Sequence, residues 1–268
     1  MTEQPPAPDP VIDTTTPHSA RMWNYWLGGK DNYPVDREVG EQIRKVYPGI
    51  VDVARHSRAF LGRAVRLLAG EYAVTQFLDI GTGLPTFDNT HEVAQRIDPA
   101  CRIVYADNDP LVLVHARALL TSTPRGACSY IDADVRDPAA LLDRAAETLD
   151  FSRPIGLMLL GILGNVWEHD EAGAICDHLI EALPSGSFLV LEDGTNAVDP
   201  EAAAEAEKTR AEAGDPYRLR TPAHLTGFFH ALDLLPPGVV SVSHWRPDPG
   251  PFGLPPEVAA YCGVGAKP

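Results

Sequence analysis

The sequence lacks the features that would place it in a membrane or in an oxidising compartment. Its longest apolar stretch, residues 155–166, is interrupted by glycine and is shorter than the roughly 20 residues of a membrane-spanning helix. There are only four cysteines, and no two of them form a Cys-x-x-Cys pair. Residues 1–10 are rich in proline rather than basic and apolar, unlike a signal peptide. We therefore expect a cytoplasmic protein whose cysteines are reduced and bind no metal.

Positive charge is also scarce in this chain. Its 22 lysines and arginines face 37 aspartates and glutamates, which gives a formal net charge of −15. A protein this acidic has no general electrostatic attraction for nucleic acids or anionic membranes. The remaining composition, with 44% hydrophobic residues over 268 positions, is that of a globular protein with one sizeable core. We expect a small-molecule partner, while nothing in the sequence determines the oligomeric state.

A short apolar strand followed by two glycines is the first motif with chemical content. Residues 77–80 form the pattern of a buried parallel strand, and Gly81-Thr82-Gly83 ends it abruptly. The two glycines allow a tight turn and let a ligand approach the backbone where a Cβ atom would clash. A helix after such a turn directs its free N–H groups to the same point. The pattern predicts a nucleotide-binding corner that includes Asp79.

Two more strand patterns follow, and each runs into acidic residues. Residues 102–107 end in Asp107, and residues 128–135 contain Asp132 and Asp134. In dinucleotide-binding units, a carboxylate about 20 residues beyond the glycines accepts hydrogen bonds from the ribose hydroxyls. This alternation of strands and helices predicts an open α/β sheet with the acids at the carboxyl ends of its strands.

Two classes of cofactor could bind at such an edge. A nicotinamide or flavin nucleotide calls for Gly-x-Gly-x-x-Gly, but Thr86 occupies the position of the third glycine and Pro85 stiffens the turn before it. This loop does not complete a turn that could bind a pyrophosphate, so an NAD-dependent oxidoreductase is the weaker alternative. The other class comprises nucleoside cofactors without phosphate.

The segment Leu78–Gly83 resembles the first motif of class I S-adenosylmethionine-dependent methyltransferases. A second resemblance lies upstream, where His18–Arg21 and Tyr25–Tyr33 match the N-terminal signature of a bacterial methyltransferase family of unassigned substrate. The Leu-Gly-Gly-Lys-Asp-Asn element at residues 27–32 is much more specific than the glycine loop. Further matching segments are Tyr105–Pro110, Asp134–Pro138, Leu183–Val190 and Trp245–Pro247.

The resemblance implies an α/β, Rossmann-like class I methyltransferase fold. Its sheet would have seven mostly parallel strands with an antiparallel last strand, and a helical cap would precede it. On this basis we expect a disordered tail at residues 1–13, the cap at residues 14–74 and the S-adenosylmethionine-binding domain at residues 75–268. The implied cofactor is S-adenosylmethionine, its product is S-adenosylhomocysteine, and the acceptor is an unidentified small molecule.

The resemblance also assigns roles to the strand-end residues. Asp79 and the glycine backbone would hold the methionine portion, Asp107 the ribose, and Asp134 with the Val135 backbone the adenine. Arg21 or His18 could donate to the methionine carboxylate. The candidate cofactor-binding residues are Arg21, Tyr25, Gly28, Gly29, Asn32, Asp79, Gly81, Thr82, Gly83, Asp107, Asn108, Asp134, Val135 and Gly161.

The cap residues have chemical reasons to contact the ligand. An aromatic face such as that of Tyr25 or Trp26 stabilises a sulfonium. Gly28 and Gly29 would permit contact with the backbone, and Asn32 could bond to cofactor or substrate. Packing alone also accounts for aromatic residues in such a helix.

No catalytic base is assigned from the sequence. Many methyltransferases of the resembling family carry a histidine near the position of Gly164, and here it is absent. Asn165, Glu168 and His169 are the nearby polar candidates. In-line positioning of nucleophile, methyl and sulfur can proceed without a strong base. A protein that binds the cofactor or its demethylated product without catalysis therefore remains an alternative.

Thr16 is expected to cap the first helix, and Arg58 to contact the glycine loop. Residues 199–214 are expected to form an exposed lid or interface helix, because they have little apolar face. Residues 239–244 and 261–265 are expected to be the last two strands, paired antiparallel.

Overall fold

The computed structural model of the protein describes residues 12–119, 121–249 and 253–268. Within this part of the chain one mixed sheet has the order β3-β2-β1-β4-β5-β8-β6, with β7 also paired to β8. The predicted tail at residues 1–13 lies outside the described residues except for Ile12 and Asp13. The strands are β1 (Gln76–Ile80), β2 (Arg102–Asp107), β3 (Ala127–Asp132), β4 (Gly156–Leu160), β5 (Phe188–Gly194), β6 (Asp233–Leu234), β7 (Val240–Ser241) and β8 (Ala260–Ala266).

The strands β1 to β5 are parallel, and β8 runs antiparallel to β5. The prediction of a mostly parallel sheet with an antiparallel last strand is confirmed. The sheet has eight strands because two strands of two residues each, β6 and β7, pair with β8. The predicted strand at residues 239–244 is thereby reduced to Val240–Ser241, whereas the predicted strand at residues 261–265 extends over all of β8.

Helices surround this sheet and precede it. They are α1 (Ser19–Trp26), α2 (Pro34–Val46), α3 (Ile50–Gly70), α4 (Thr90–Ile97), α5 (Pro110–Leu119), α6 (Pro138–Ala145), α7 (His169–Ala182), α8 (Pro200–Glu212) and α9 (Pro222–Gly227), with a short 3-10 helix at Leu163–Asn165. Within the described residues, no helix combines the length and the apolar character that crossing a bilayer requires.

The first helix begins later than its sequence suggests. Thr16 does not cap it; the N-cap is His18, whose Nδ1 accepts a hydrogen bond from the Ala20 N–H at 3.3 Å. An imidazole nitrogen here replaces the hydroxyl that the sequence pattern favoured. At the other end, Gly28 follows the helix with φ of +81°, the left-handed conformation in which glycine terminates helices.

Both faces of the sheet are buried. On one face, α3 packs Phe60, Val65 and Leu68 against the strand residue Phe77. On the other face, a second cluster joins β1, β2, β4 and β5 to α6, α7 and α9. Burial on both faces explains why the central strands are continuously apolar rather than alternating.

The helix α8 does not stand apart from the domain. Its Ala206 is buried in a cluster with Met22, Trp26, Val39 and Ile43 of α1 and α2. Alanines offer little apolar area, which is why the sequence suggested an exposed helix, but their small size lets α8 approach α2 closely. The structure therefore makes α8 a wall of the N-terminal helical layer.

Candidate active site

A cavity of about 350 Å³ lies at the carboxyl ends of the parallel strands. This volume is within the range of roughly 300–1,000 Å³ that is usual for small-molecule sites. Residues from α1, α3 and α8 form the wall opposite the strand ends. Open α/β sheets bind their ligands at this edge, so the cavity is the candidate functional site.

The cavity brings together one group of the sequence candidates and omits another. The candidates that line it are Asp79, Gly81, Thr82, Gly83, Asp107, Asn108, Asp134, Val135 and Gly161. The candidates that do not line it are Arg21, Tyr25, Gly28, Gly29 and Asn32. All of the omitted candidates belong to the N-terminal layer.

The glycine loop adopts the conformation that its composition predicts. Gly81 and Gly83 have φ of +72° and +64°, in the left-handed region where other residues are strained. A Cβ atom at Gly81 would lie 2.6 Å from Cδ1 of Ile162, so this position has no room for a side chain. The Gly83 N–H donates to Asp107 Oδ2 at 2.8 Å, which joins the ends of β1 and β2.

Asp107 is held in a fixed orientation at the cavity. In addition to the bond from Gly83, its Oδ1 accepts a hydrogen bond from the Asp109 N–H at 3.0 Å. The residue is only 7% exposed, and burial raises the pKa of its carboxyl. Each oxygen keeps a lone pair for a further donor, which is what binding a pair of hydroxyls requires.

Asp79 is the second buried acid of the cavity. Its Oδ2 accepts a hydrogen bond from the Thr90 hydroxyl at 2.6 Å. Burial raises the pKa of the Asp79 carboxyl to about 6, and the Arg58 guanidinium partly opposes this shift. Arg58 donates to the Phe87 carbonyl at 3.0 and 2.7 Å and to Asn89 Oδ1 at 3.0 Å. Arg58 was expected to contact the glycine loop itself; its hydrogen bonds go instead to residues that follow the loop.

The far end of the cavity, beyond β2 and β3, is more polar and open. Asn108 Nδ2 donates to Asp134 Oδ2 at 3.3 Å. The Arg136 N–H donates to Asp134 Oδ1 at 2.9 Å, and its guanidinium reaches the Asn165 carbonyl at 2.6 Å. Val135 is buried between these polar groups. An apolar contact beside a carboxylate suits a flat heterocycle with an exocyclic amine.

The sequence candidate Arg21 is hydrogen-bonded to other residues of the chain. Its Nε and Nη2 donate to Asp109 Oδ2 and Oδ1 at 3.0 and 2.8 Å, and its Nη1 donates to the Asp13 carbonyl at 2.5 Å. The residue is 3% exposed and lies outside the cavity. The alternative donor, His18, lines the cavity.

The other N-terminal candidates lie in α1, as Tyr25 does, or in the turn that follows it. Asn32 Nδ2 donates to Asn24 Oδ1 at 2.8 Å and to the Gly29 carbonyl at 3.1 Å. A Cβ atom at Gly29 would lie 2.3 Å from Asn24 Nδ2. The Tyr25 hydroxyl donates to Glu41 of α2. Neither Tyr25 nor the turn residues Gly29 and Asn32 line the cavity. The residues of α1 that do line it include Asn24, Trp23 and Trp26.

The end of β5 adds cavity residues that the sequence did not reveal. Glu192 and Tyr217 line the cavity, and the Tyr217 hydroxyl donates to the buried Asp193. Residues 188–194 repeat the pattern of an apolar strand that runs into acids, which is the signal that pointed to the other strand ends. Tyr217 lies in the segment after α8 and follows no recognisable motif.

Glu192 and Asp193 each have their own hydrogen-bond partners. Ser57 of α3 donates to Glu192 Oε1 at 3.0 Å. Asp193 accepts from the Gly164 N–H at 2.8 Å, from the Gly194 N–H at 2.8 Å and from the Tyr217 hydroxyl. Burial, and then the adjacent Asp193, raise the pKa of Glu192 to about 8. Burial likewise raises the pKa of Tyr217 well above its ordinary value.

The polar candidates near Gly164 are distributed differently. Asn165 lines the cavity, whereas Glu168 and His169 do not. The His169 ring packs at 4.3 Å from the His224 ring, and its buried Nδ1 has no hydrogen-bond partner among the described residues. Over the same residues, no group of three or more histidine, cysteine or acidic side chains is arranged to hold a metal ion.

Two solved structures are similar to this chain over nearly its whole length. A DUF574 family protein from Streptomyces avermitilis MA-4680 is 42% identical, with a TM-score of 0.92 over 96% of this chain and 100% of that one. A protein from Thermobifida fusca YX is 39% identical, with a TM-score of 0.87 over 95% of this chain and 96% of that one. No curated protein is similar enough to this chain to count as a match.

A more distant similarity concerns the fold alone. The N-methyltransferase NodS from Bradyrhizobium japonicum WM9, solved with S-adenosyl-L-homocysteine, is 15% identical and has a TM-score of 0.50 over 96% of this chain and all of that one. Together with the strand order, this similarity identifies the Rossmann-like class I methyltransferase fold. The sequence profile of the S-adenosyl methyltransferase family matches residues 5–268. The chain therefore belongs to the S-adenosyl methyltransferase family, whose cofactor is S-adenosylmethionine.

Proposed function

We propose that this protein transfers a methyl group from S-adenosylmethionine to a small-molecule acceptor within the strand-end cavity. The observation that carries the proposal is the convergence of Asp79, Gly83 and Asp107 on one cavity of about 350 Å³. Bare glycine backbone and two fixed carboxylates are what a nucleoside without phosphate requires. S-adenosylmethionine supplies an electrophilic methyl group when it is bound.

The assignment of cofactor contacts follows the order of the strands. We assign the ribose hydroxyls to Asp107, because both of its oxygens are oriented by backbone N–H groups. The adenine is assigned to Asp134 and the Val135 backbone, and the methionine portion to the turn at Gly81 and Gly83. Arg21 is bound to Asp109, whereas His18 lines the cavity. We therefore assign His18 as the donor to the methionine carboxylate.

The charge of the lining suits a cationic cofactor. Its acidic residues are Asp79, Asp107, Asp134, Glu192, Asp199, Glu207 and Asp215, and its arginines are Arg58, Arg136 and Arg210. The excess of carboxylates favours a sulfonium and an ammonium over a phosphate. Trp23 and Trp26 line the same cavity with their rings edge to face at 5.9 Å, and indole faces stabilise cations.

The enclosure of the cavity supports a small acceptor. Residues 14–74 would act as a cap, because α1 and α3 face the strand ends, and α8 supplies Ala203, Ala206 and Glu207 to the same wall. A folded protein or a nucleic-acid duplex does not fit within this volume. The net charge of −15 also disfavours a polyanionic acceptor.

Calorimetric titration tests the cofactor half of the proposal. S-adenosylmethionine and S-adenosylhomocysteine are expected to bind with one-site isotherms, and NAD is not expected to bind. Incubation with methyl-labelled S-adenosylmethionine and a bacterial metabolite extract tests the transfer half. Label in a small product supports an enzyme; binding without any transfer supports the non-catalytic alternative, and preferential binding of NAD would overturn both.

A further inference from the structure

The order of the strands in the sheet determines which part of the cavity lies far from the proposed nucleoside site. From β2 the strands follow as β1, β4 and β5, and the pairs Ile80–Ala106, Ile80–Leu159 and Leu160–Glu192 keep their ends level. Three strand spacings of about 4.8 Å therefore separate the backbones of Asp107 and Glu192 by about 14 Å. In the proposed function the nucleoside lies at the ends of β2 and β3 and the methionine portion at the turn after β1. The end of β5 then lies beyond the methionine portion, and the acceptor would bind there.

Glu192 presents an available oxygen at this end. The residue is 3% exposed, and what remains accessible borders the cavity. Its Oε1 accepts the hydrogen bond from Ser57, but Oε2 has no hydrogen-bond partner among the described residues. Oε2 lies 3.8 Å from the point where a Cβ atom at Gly161 would be, so it adjoins another lining residue.

The groups around Glu192 do not neutralise a negative charge on it. Asp193 is itself acidic, and its oxygens are bonded to two backbone N–H groups and to Tyr217. On β8, Cys262 is paired with Glu192 across the sheet and carries a thiol with a raised pKa. Arg210, the nearby cation of α8, is bound to Asp215 and Ser19. Within the described residues, Glu192 has no salt-bridge partner.

We propose that Glu192 binds the amino group of a basic amine acceptor and takes a proton from it, so that the methylated atom is a nitrogen. This inference rests on the proposed methyltransferase function. An ammonium stabilises a buried carboxylate more than a neutral hydroxyl does, because its positive charge also compensates for the hydration that the carboxylate loses on burial. An anionic acceptor would meet the Glu192 carboxylate, which lines the cavity, and is disfavoured.

The proposed step balances in atoms and charge. An amine enters as an ammonium, and Glu192 as a carboxylate accepts one of its protons. The free nitrogen lone pair then forms the new N–CH3 bond while the S–CH3 bond breaks and its electron pair stays on sulfur. The product is a methylated ammonium, a protonated Glu192 and S-adenosylhomocysteine, and the total charge remains +1. Glu192 afterwards loses its proton to solvent.

The chemistry of the carboxyl suits this transfer. Its pKa of about 8 lies closer to that of an aliphatic ammonium than an ordinary carboxyl does. Proton transfer from the ammonium is therefore less uphill than transfer to an exposed glutamate. An ammonium beside Glu192 also favours the ionised form of its carboxyl. Binding of the amine therefore promotes the carboxylate form that takes the proton.

Binding of small probes to the protein loaded with S-adenosylhomocysteine tests the inference. Benzylamine, benzyl alcohol and benzoate have nearly the same shape and differ in charge, and saturation-transfer NMR measures their affinities. Benzylamine is expected to bind at least about tenfold more tightly than the other two, the factor typical of a charge-assisted hydrogen bond. Glu192→Gln keeps an acceptor for Ser57 and is expected to lose this preference. Glu212→Gln, on the exposed end of α8, is the matched control and should keep it.

The outcomes separate this inference from the proposed function. Failure of S-adenosylhomocysteine to bind the wild-type protein would overturn the function and the inference together. Normal cofactor binding without a preference for benzylamine, including no probe binding at all, overturns the inference alone. Persistence of the preference in Glu192→Gln also overturns it, because another group would then be recognising the ammonium.

Discussion

The ring of Tyr217 occupies the space that a side chain at Gly164 would need. A Cβ atom at position 164 would lie 2.2 Å from Cζ and 2.3 Å from Cε1 of that ring. The Tyr217 hydroxyl then bonds Asp193, which also accepts the Gly164 N–H. A phenol from another segment of the chain therefore fills the space beside Gly164.

Gly164→Ala is expected to destabilise the protein by about 1–3 kcal/mol, because an added methyl group forces the packed Tyr217 ring to move. In the Tyr217→Ala background, where the ring is absent, the same change is expected to have little further effect. Urea unfolding of the two single variants and the double variant measures this coupling.

Gly173 provides the matched control for this experiment. It lies in α7, and a Cβ atom there would have no contact within 4 Å. Gly173→Ala should therefore leave stability unchanged or raise it by roughly 0.5–1 kcal/mol, since alanine favours helix. Equal costs at positions 164 and 173, or additive effects in the Tyr217→Ala background, would contradict the packing argument.

A second prediction concerns the buried pair of Arg21 and Asp109. Both side chains are almost fully buried, and two hydrogen bonds join them in parallel. Arg21→Ala is expected to lower the free energy of unfolding by about 3–5 kcal/mol, because it leaves the Asp109 carboxylate without its cation. Thermal and urea unfolding would measure the loss.

The exposed pair of Arg44 and Glu41 is the comparison. Its Arg44 Nη1 lies 3.0 Å from Glu41 Oε1, but the two side chains are 53% and 39% exposed. Arg44→Ala is expected to cost less than about 1 kcal/mol. If Arg21→Ala cost no more than Arg44→Ala while weakening cofactor binding, Arg21 would be a ligand contact after all.

The strand-end candidates could be predicted because their signal is local. An apolar run that ends in glycine or acid places those residues at one sheet edge, whichever helices connect the strands. Asp79, Gly83, Asp107 and Asp134 carry this signal, and all of them line the cavity. Glu192 carries it too, because the apolar strand β5 runs into acidic residues at its carboxyl end.

The sequence candidates that lie outside the cavity are positioned by contacts that the motifs themselves do not show. Arg21 lies 88 positions from Asp109, and no local pattern indicates that the two side chains meet. The Leu-Gly-Gly-Lys-Asp-Asn element is specific, but its Gly29 and Asn32 contact Asn24 of α1 and lie outside the cavity. Tyr217, by contrast, lines the cavity although no motif marks it.

The third prediction tests the assignment of Asp107. Asp107→Ala is expected to weaken S-adenosylhomocysteine binding by about 1.5–3 kcal/mol, the free energy typical of a hydrogen bond to a charged group. Calorimetric titration gives the dissociation constant, and circular dichroism of the variant verifies that it is folded.

Asp132 supplies the control for Asp107. It ends β3 directly opposite Asp107 in the parallel register, but it is exposed and lies outside the cavity. Asp132→Ala should bind S-adenosylhomocysteine as the wild type does. An unchanged dissociation constant for folded Asp107→Ala would remove Asp107 from the ribose site.

The last prediction concerns the effect of Glu192 on stability as the pH changes. Its pKa in the folded protein is about 8, above the value of 4.5 for an ordinary glutamate. The folded state therefore keeps the proton at pH values where the unfolded chain has lost it. The stability associated with that proton is fully present below about pH 4.5 and is lost as the pH rises through about 8.

Glu192→Gln cannot titrate, so its free energy of unfolding relative to the wild type isolates this contribution. Each unit of pKa shift corresponds to about 1.4 kcal/mol. From about pH 5.5 to about pH 8.5, the free energy of unfolding of the variant is therefore expected to rise by roughly 2–3 kcal/mol relative to that of the wild type. Urea unfolding at several pH values measures the difference, and Glu212→Gln should show none. A difference independent of pH would mean that Glu192 ionises as an exposed carboxyl does. In that case burial would not prepare Glu192 to take a proton from an amine.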